Sequence, residues 1–191
     1  MKGLEELKQQ MKKESIYVPP VDVVDEFLAC CEEVKYDPNE SVIDIGECTP
    51  YVFVLKEGVL SKSVFHDGQE IILSFADPGT MIFSYHSFLI NEPSCIRVAA
   101  CCKSTVLRIS NENVREMING RQEFALWLLG LSQHQLMDYD TNSSIVQGDA
   151  LSRYQRLLRV RPDIIKYVPL KMIASYLGIT QQHLSRIRSI K

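Results

Sequence analysis

The chain has 191 residues, 46% hydrophobic and 24% charged, the composition of an ordinary globular protein with material for one or two cores. No run approaches the eighteen or so apolar residues of a membrane span, and residues 1–15 have no apolar core of the signal-peptide kind, so a cytoplasmic protein without membrane contact is expected. A net charge of −3 by itself says nothing of nucleic acid.

Residues 1–15 are polar with apolar residues only at intervals, which predicts a short helix. Pro19-Pro20 breaks it, and residues 21–33 resume as a helix with Val24, Phe27, Leu28 and Cys31 on one side. After Asp37-Pro-Asn the pattern changes to short segments rich in Val, Ile, Phe and Tyr, at 41–45, 51–56, 59–66, 70–76, 96–102 and 105–110. Turn signals separate them: Glu57-Gly58, the two-residue hairpin turn Asp67-Gly68, and Asp77-Pro-Gly79. Regular short strands between tight turns predict a β-barrel or jelly roll over about residues 40–110, with a short helix inside it at 81–90.

The helical period returns at 114–118, and residues 121 to about 144 form one long predicted helix. Phe124, Trp127, Leu128, Leu129, Leu131, Leu136 and Met137 cover more than one face of it. Such a helix must bury itself against two surfaces, most simply its own roll and a second copy of the chain. Thr141-Asn-Ser-Ser and Gln147-Gly-Asp are the expected hinge, and residues 151–168 the support helices beyond it. The resulting division is 1–120, helix and sensor roll; 121–147, dimerisation helix and hinge; and 148–191, a terminal helical domain.

That last domain ends in a predicted helix-turn-helix. Ile173, Ala174 and Leu177 share a face, Gly178 stops the first helix, Thr180 can cap the second, and Leu184 and Ile187 give it an apolar stripe. The outer face keeps Gln181, Gln182, Ser185, Arg186, Arg188 and Lys191, side chains suited to base edges and phosphates in the major groove. Residues 151–191 carry nine Lys and Arg against Asp163 alone, a net +8 that leaves −11 for residues 1–150. A basic end behind an acidic body is the footprint of a duplex-binding module.

With these parts in this order, the chain resembles the Crp/Fnr family of bacterial transcription regulators: α+β, with an N-terminal cyclic-nucleotide-binding-like jelly roll, a long dimerisation helix and a C-terminal helix-turn-helix. The motifs that carry the resemblance are Tyr51-Val-Phe-Val-Leu-Lys-Glu-Gly58, Phe65-His-Asp-Gly-Gln-Glu-Ile-Ile-Leu-Ser-Phe75, Pro78-Gly79, Val98-Ala-Ala100 and Val106-Leu-Arg-Ile109. It implies a homodimer on double-stranded DNA at an inverted repeat, with RNA polymerase and a small-molecule effector as further partners. It puts base reading on Gln181, Gln182 and Arg186; Thr180, Ser185, Lys171, Arg188 and Lys191 are then expected on phosphates. The family commonly has an acidic residue where Gln182 stands, so its usual half-site does not carry over. Residues 161–169 are too short and too helical for the β-hairpin wing of many relatives.

The resemblance also implies an effector pocket between the roll and the long helix, lined by Phe83, Ser84, Ser94 and Cys95 on the roll and Tyr139, Asp140 and Thr141 on the helix. Where relatives that bind cyclic AMP have their Gly-Glu and Arg-Ser or Arg-Thr phosphate clamp, this chain has Phe83-Ser84 and Ser94-Cys95. A buried phosphate without a cation suffers a large desolvation cost, so cyclic AMP is not expected to bind. Arg97 is a substitute only if its strand turns it inward. The six cysteines, Cys30, Cys31, Cys48, Cys95, Cys101 and Cys102, lack the grouped spacing of an iron–sulfur site and read as buried free thiols. His66, His86, His134 and His183 are scattered, with no His-x-His within a strand. No catalytic residue, metal site or cofactor is therefore expected, and no enzyme. The alternative to a DNA-binding regulator is a dimeric sensor or adaptor acting through a protein partner.

Overall fold

The computed structural model of the chain describes residues 2–162 and 164–189. Helix α1 (Lys2–Lys13) and helix α2 (Val21–Ala29) come first. Among the described residues, eight strands follow: β1 (Glu32–Tyr36), β2 (Ser41–Ile43), β3 (Tyr51–Glu57), β4 (Leu60–His66), β5 (Gln69–Ala76), β6 (Met81–Ile82), β7 (Arg97–Ala100) and β8 (Ser104–Ser110). One π-helical turn, His86–Ile90, interrupts them. The rest is helical: α3 (Asn111–Gly120), α4 (Gln122–Ile145), α5 (Ala150–Val160), α6 (Ile164–Tyr167), α7 (Leu170–Tyr176) and α8 (Gln181–Ser189).

The fold is mixed α/β with antiparallel sheets. The described strands pair in the orders β1-β8-β3-β6 and β2-β7-β4-β5. The two sheets face each other across an apolar layer, in which Phe53, Leu55 and Val106 from the first meet Val42, Ile43, Leu60, Val98 and Ala100 from the second. On the outer side of the first sheet a second core forms around Trp127, where α2 and α4 pack through Phe27 and Phe124 with ring centroids 5.5–6.0 Å apart.

Three sequence expectations are corrected. The second helix stops at Ala29 rather than 33, and residues 32–36 form β1. This edge strand carries charge where a pattern would need apolar residues: Glu32 pairs with Arg108 and Glu33 with Lys56, so no alternation marks it. Thr141 and Ser144 lie inside α4 rather than in a hinge, their hydroxyls bonded back to the carbonyls of Met137 (3.1 Å) and Thr141 (2.6 Å), so that neither leaves a polar group open within the helix. The chain leaves the helix only at Val146, with Gly148 at φ 90°. The cysteines are not uniformly buried: Cys30, Cys48 and Cys95 are exposed, Cys31 and Cys102 half-buried, and Cys101 buried. Burial pushes the Cys31 and Cys101 thiols up to about 12.

The C-terminal helices share a core with the roll: Tyr154, Leu157, Ile173, Leu177 and Leu184 join Ile72 and Phe75 of β5. Helix α7 sits on β5, the edge of its sheet. The Ser175 hydroxyl donates to the Glu70 carbonyl (3.1 Å) and accepts from the Ile72 amide (3.2 Å), pairing backbone groups a free edge would leave open. Phe75 meets Tyr176 edge-on at 5.3 Å.

Candidate functional site

Two places hold polar side chains not taken up by the fold. The first is the outer face of α8. Helix α7 ends in a Schellman motif, with Gly178 at φ 63° donating to Ser175 and the Ile179 amide donating 3.0 Å to Ala174. Thr180 then caps α8, its hydroxyl accepting from the His183 amide at 3.1 Å. Leu184 and Ile187 turn inward; Thr180, Gln181, Gln182, Ser185, Arg186 and Arg188 are exposed, as is Lys171 on α7. Among the described residues neither Arg186, Arg188 nor Lys171 pairs with a carboxylate. Lys191 lies outside the described residues.

The basic excess of this end is not all available to a ligand. Arg153 donates to the Leu177 carbonyl (2.7 Å), Arg156 to the Ser144 and Gln147 carbonyls at the end of α4 (3.0 and 3.1 Å), and Arg161 pairs with Asp77 at 3.2 Å. These three guanidiniums tie the C-terminal helices together and to the roll.

The second place is a cavity of about 600 Å³ between β4, β5, α4 and the C-terminal helices. Of the seven expected pocket residues, Phe83 and Tyr139 line it. Ser84 and Ser94 are buried and bond within their own loops, to the Ser87 amide and to Ile96. Cys95, Asp140 and Thr141 are exposed and outside it. Phe83 packs on Tyr85 (4.6 Å) and Phe88 (5.5 Å). Arg97 turns to the other side, onto Glu70 (2.9 Å) and the Asn39 carbonyl (2.8 Å).

Three cations line the cavity; Arg153 and Arg161 are engaged by the Leu177 carbonyl and Asp77, and the third, Lys62, is one the sequence did not single out. Lys62 stands at a β-bulge, where the register of β4 on β5 slips between Lys62 and Ser63 and re-aims the side chain. It pairs with no carboxylate among the described residues, and burial holds its pKa below the usual lysine value. On the opposite rim Glu14 accepts from the Thr80 hydroxyl at 3.0 Å. Desolvation pushes its carboxyl above the usual range; the Thr80 bond and His134 oppose that, and Asp138 and Asp77 add to it.

The roll, long helix and terminal helix pair define a class before any particular relative. Residues 33–121 match the family model of the cyclic nucleotide-binding domain. Beyond it, the similarity to Crp/Fnr-type regulators read from the motifs holds over most of the chain. The chain is 28% identical over 173 residues to the transcriptional activatory protein AadR of Rhodopseudomonas palustris, a match covering 85% of this chain and 72% of that protein. Its fold superposes on FixK2 from Bradyrhizobium japonicum with a TM-score of 0.70 at 16% identity, over 83% of each chain. The c-di-GMP responsive global regulator CLP of Xanthomonas campestris gives 0.66 at 15% identity, over 89% of this chain and 90% of that one. No helix among the described residues is long and apolar enough to cross a membrane.

Proposed function

We propose that the chain is a cytoplasmic, homodimeric, sequence-specific DNA-binding regulator of transcription, with a sensor at 1–120, a dimerisation helix and hinge at 121–147 and a helix-turn-helix domain at 148–191. The observation that carries this reading is the capped helix α8, whose outward face offers Gln181, Gln182 and Arg186 free of any ion pair among the described residues. Gln and Arg in that setting make bidentate bonds to adenine and guanine edges, while Thr180, Ser185, Lys171, Arg188 and Lys191 serve the phosphates. Two copies are supported by α4. Phe124, Trp127 and Leu131 are buried against the roll, yet Leu129, Leu136 and Met137 remain more than half exposed along the other side. A second α4 packed on that stripe would set two recognition helices at one spacing, as an inverted repeat requires. RNA polymerase is the further partner the reading implies.

The cavity is the effector site in this reading, and the aromatic cluster at Phe83 argues for a ligand other than cyclic AMP. Selection from a random duplex library, followed against salt with and without cyclic AMP, tests the reading. Enrichment of an inverted repeat without nucleotide is expected, with affinity falling steeply as salt rises. Enrichment only with cyclic AMP would overturn the account of the cavity, and flat salt dependence without enrichment would overturn the DNA assignment.

A further inference from the structure

At the rim of the cavity, lined there by Glu14 and Asp138, His134 completes a group of three in which Glu14 lies 120 residues or more from the other two in sequence. Glu14 follows α1, while His134 and Asp138 lie one turn apart on α4. One ligand atom from each, an imidazole nitrogen and two carboxylate oxygens, lies within 4.8 Å of the other two. His134 Nδ1 is 3.4 Å from Asp138 Oδ2, buried, and without a hydrogen bond. Asp77 adds a third carboxylate nearby, but Arg161 neutralises it at 3.2 Å; no lysine or arginine among the described residues pairs with Glu14 or Asp138. Two half-buried carboxylates beside a buried ring nitrogen, with no cation on either, form a set electrostatically incomplete in itself.

The segment that carries Glu14 is held in place rather than draped. A Cβ on Gly79 would meet Gln10 Cβ at 2.5 Å, and one on Gly130 would meet Ser15 Oγ at 2.5 Å and the Tyr17 amide at 2.8 Å. Residues 10–17 are therefore pressed between the 77–80 turn and α4, and Glu14 faces His134 as a consequence of backbone packing.

We propose that Glu14, His134 and Asp138 bind a divalent first-row transition-metal ion that ties the segment after α1 to α4 at the mouth of the cavity. The imidazole selects against magnesium and calcium, and two carboxylates with one nitrogen suit zinc, cobalt(II), manganese or iron(II). In a tetrahedral shell with bonds of about 2.1 Å, the ligands stand roughly 3.4 Å apart, the present spacing of His134 and Asp138, so that Glu14 alone has to close, by about an ångström and a half at most. Three protein ligands leave a coordination position open towards the cavity, where an oxygen of a small molecule could complete the shell.

Cobalt(II) and zinc are the test ions, used on the full chain with Cys30, Cys48 and Cys95 replaced by serine so that exposed thiols capture neither. Cobalt(II) should give visible d–d bands saturating at one ion per chain and displaced by zinc. At a hundredfold excess over its dissociation constant zinc should raise the unfolding midpoint by about 5–10 °C. Glu14→Gln and Asp138→Asn should keep the metal-free midpoint and lose both effects. His134→Cys should retain cobalt(II) but add the thiolate charge-transfer band, which a merely neighbouring residue would not do. Absence of d–d bands and of a zinc shift in the parent, or their survival in both carboxylate variants, overturns the proposal.

Discussion

Helix α8 and the cavity both offer charged side chains that the fold leaves unneutralised, and they are built in opposite ways. The α8 face comes from one short stretch, residues 174–189, whose Schellman turn, cap and apolar stripe are local, so removing one outer side chain should leave the fold intact. The cavity takes Glu14, Lys62, Tyr139, Arg153 and Tyr176 from five separate elements or their connections, and exists only while those elements stay packed. One site can fail chemically while the protein remains folded; the other fails with the packing.

The largest expected effect tests the second half of that contrast. Trp127 is fully buried where α2, α4 and the roll meet. Trp127→Ala should cost about 3–5 kcal/mol of stability in urea unfolding. The cavity-rim contacts of α4 should loosen well below the global midpoint, visible as lost amide protection around residues 130–138. If stability falls by that much and protection there is unchanged, the cavity does not depend on this core.

The same experiment on the α8 face should give the reverse. Arg186→Ala should leave the unfolding midpoint within about 0.5 kcal/mol, since the side chain is exposed and makes no ion pair among the described residues. Its affinity for a selected duplex should fall by about 1–3 kcal/mol, with discrimination relaxed at one base step. Equal losses on selected and random duplex would move Arg186 from base reading to phosphate contact.

This division also explains what could be read in the sequence. The strands were legible as short segments rich in Val, Ile, Phe and Tyr set off by turns such as Asp67-Gly68 and Asp77-Pro-Gly79, and the terminal pair where Gly178 and Thr180 punctuate it. β1 was not, because Glu32, Glu33 and Lys35 put charge on both of its faces. The basic excess after residue 150 overstated the ligand-facing charge, since Arg153, Arg156 and Arg161 are occupied within the fold. His134 and Asp138 were readable as neighbours on one helix, but nothing local announces that Glu14 joins them, because that contact depends on backbone approach at Gly79 and Gly130.

A smaller effect should distinguish the seat of the C-terminal helices from the helices themselves. Ser175→Ala removes both bonds to β5 while leaving α7 and α8 chemically unchanged. A loss of about 1 kcal/mol is expected, with hydrogen exchange at Ile72 accelerated and the His183 amide, held by Thr180, unaffected. Acceleration at both would mean that the helix pair is stable only when seated on the roll.

The smallest effect belongs to Lys62, and its sign is the informative part. Burial lowers its pKa from the ordinary lysine value of 10.5, with no carboxylate among the described residues to offset the cost of the charge. The unfolded chain therefore holds that proton more tightly than the folded one. The contribution of this lysine to stability is present above its unfolded pKa and is lost as pH falls through the lowered folded value. At neutral pH it opposes folding, so Lys62→Met should stabilise the protein by about 1 kcal/mol or less, with the gain shrinking to nothing as pH approaches 10.5. A gain that persists at alkaline pH would come from methionine packing rather than from the charge. A loss at neutral pH would mean that the ammonium already has an anionic partner in solution, and would make Lys62 the first residue to test against acidic small molecules in the cavity.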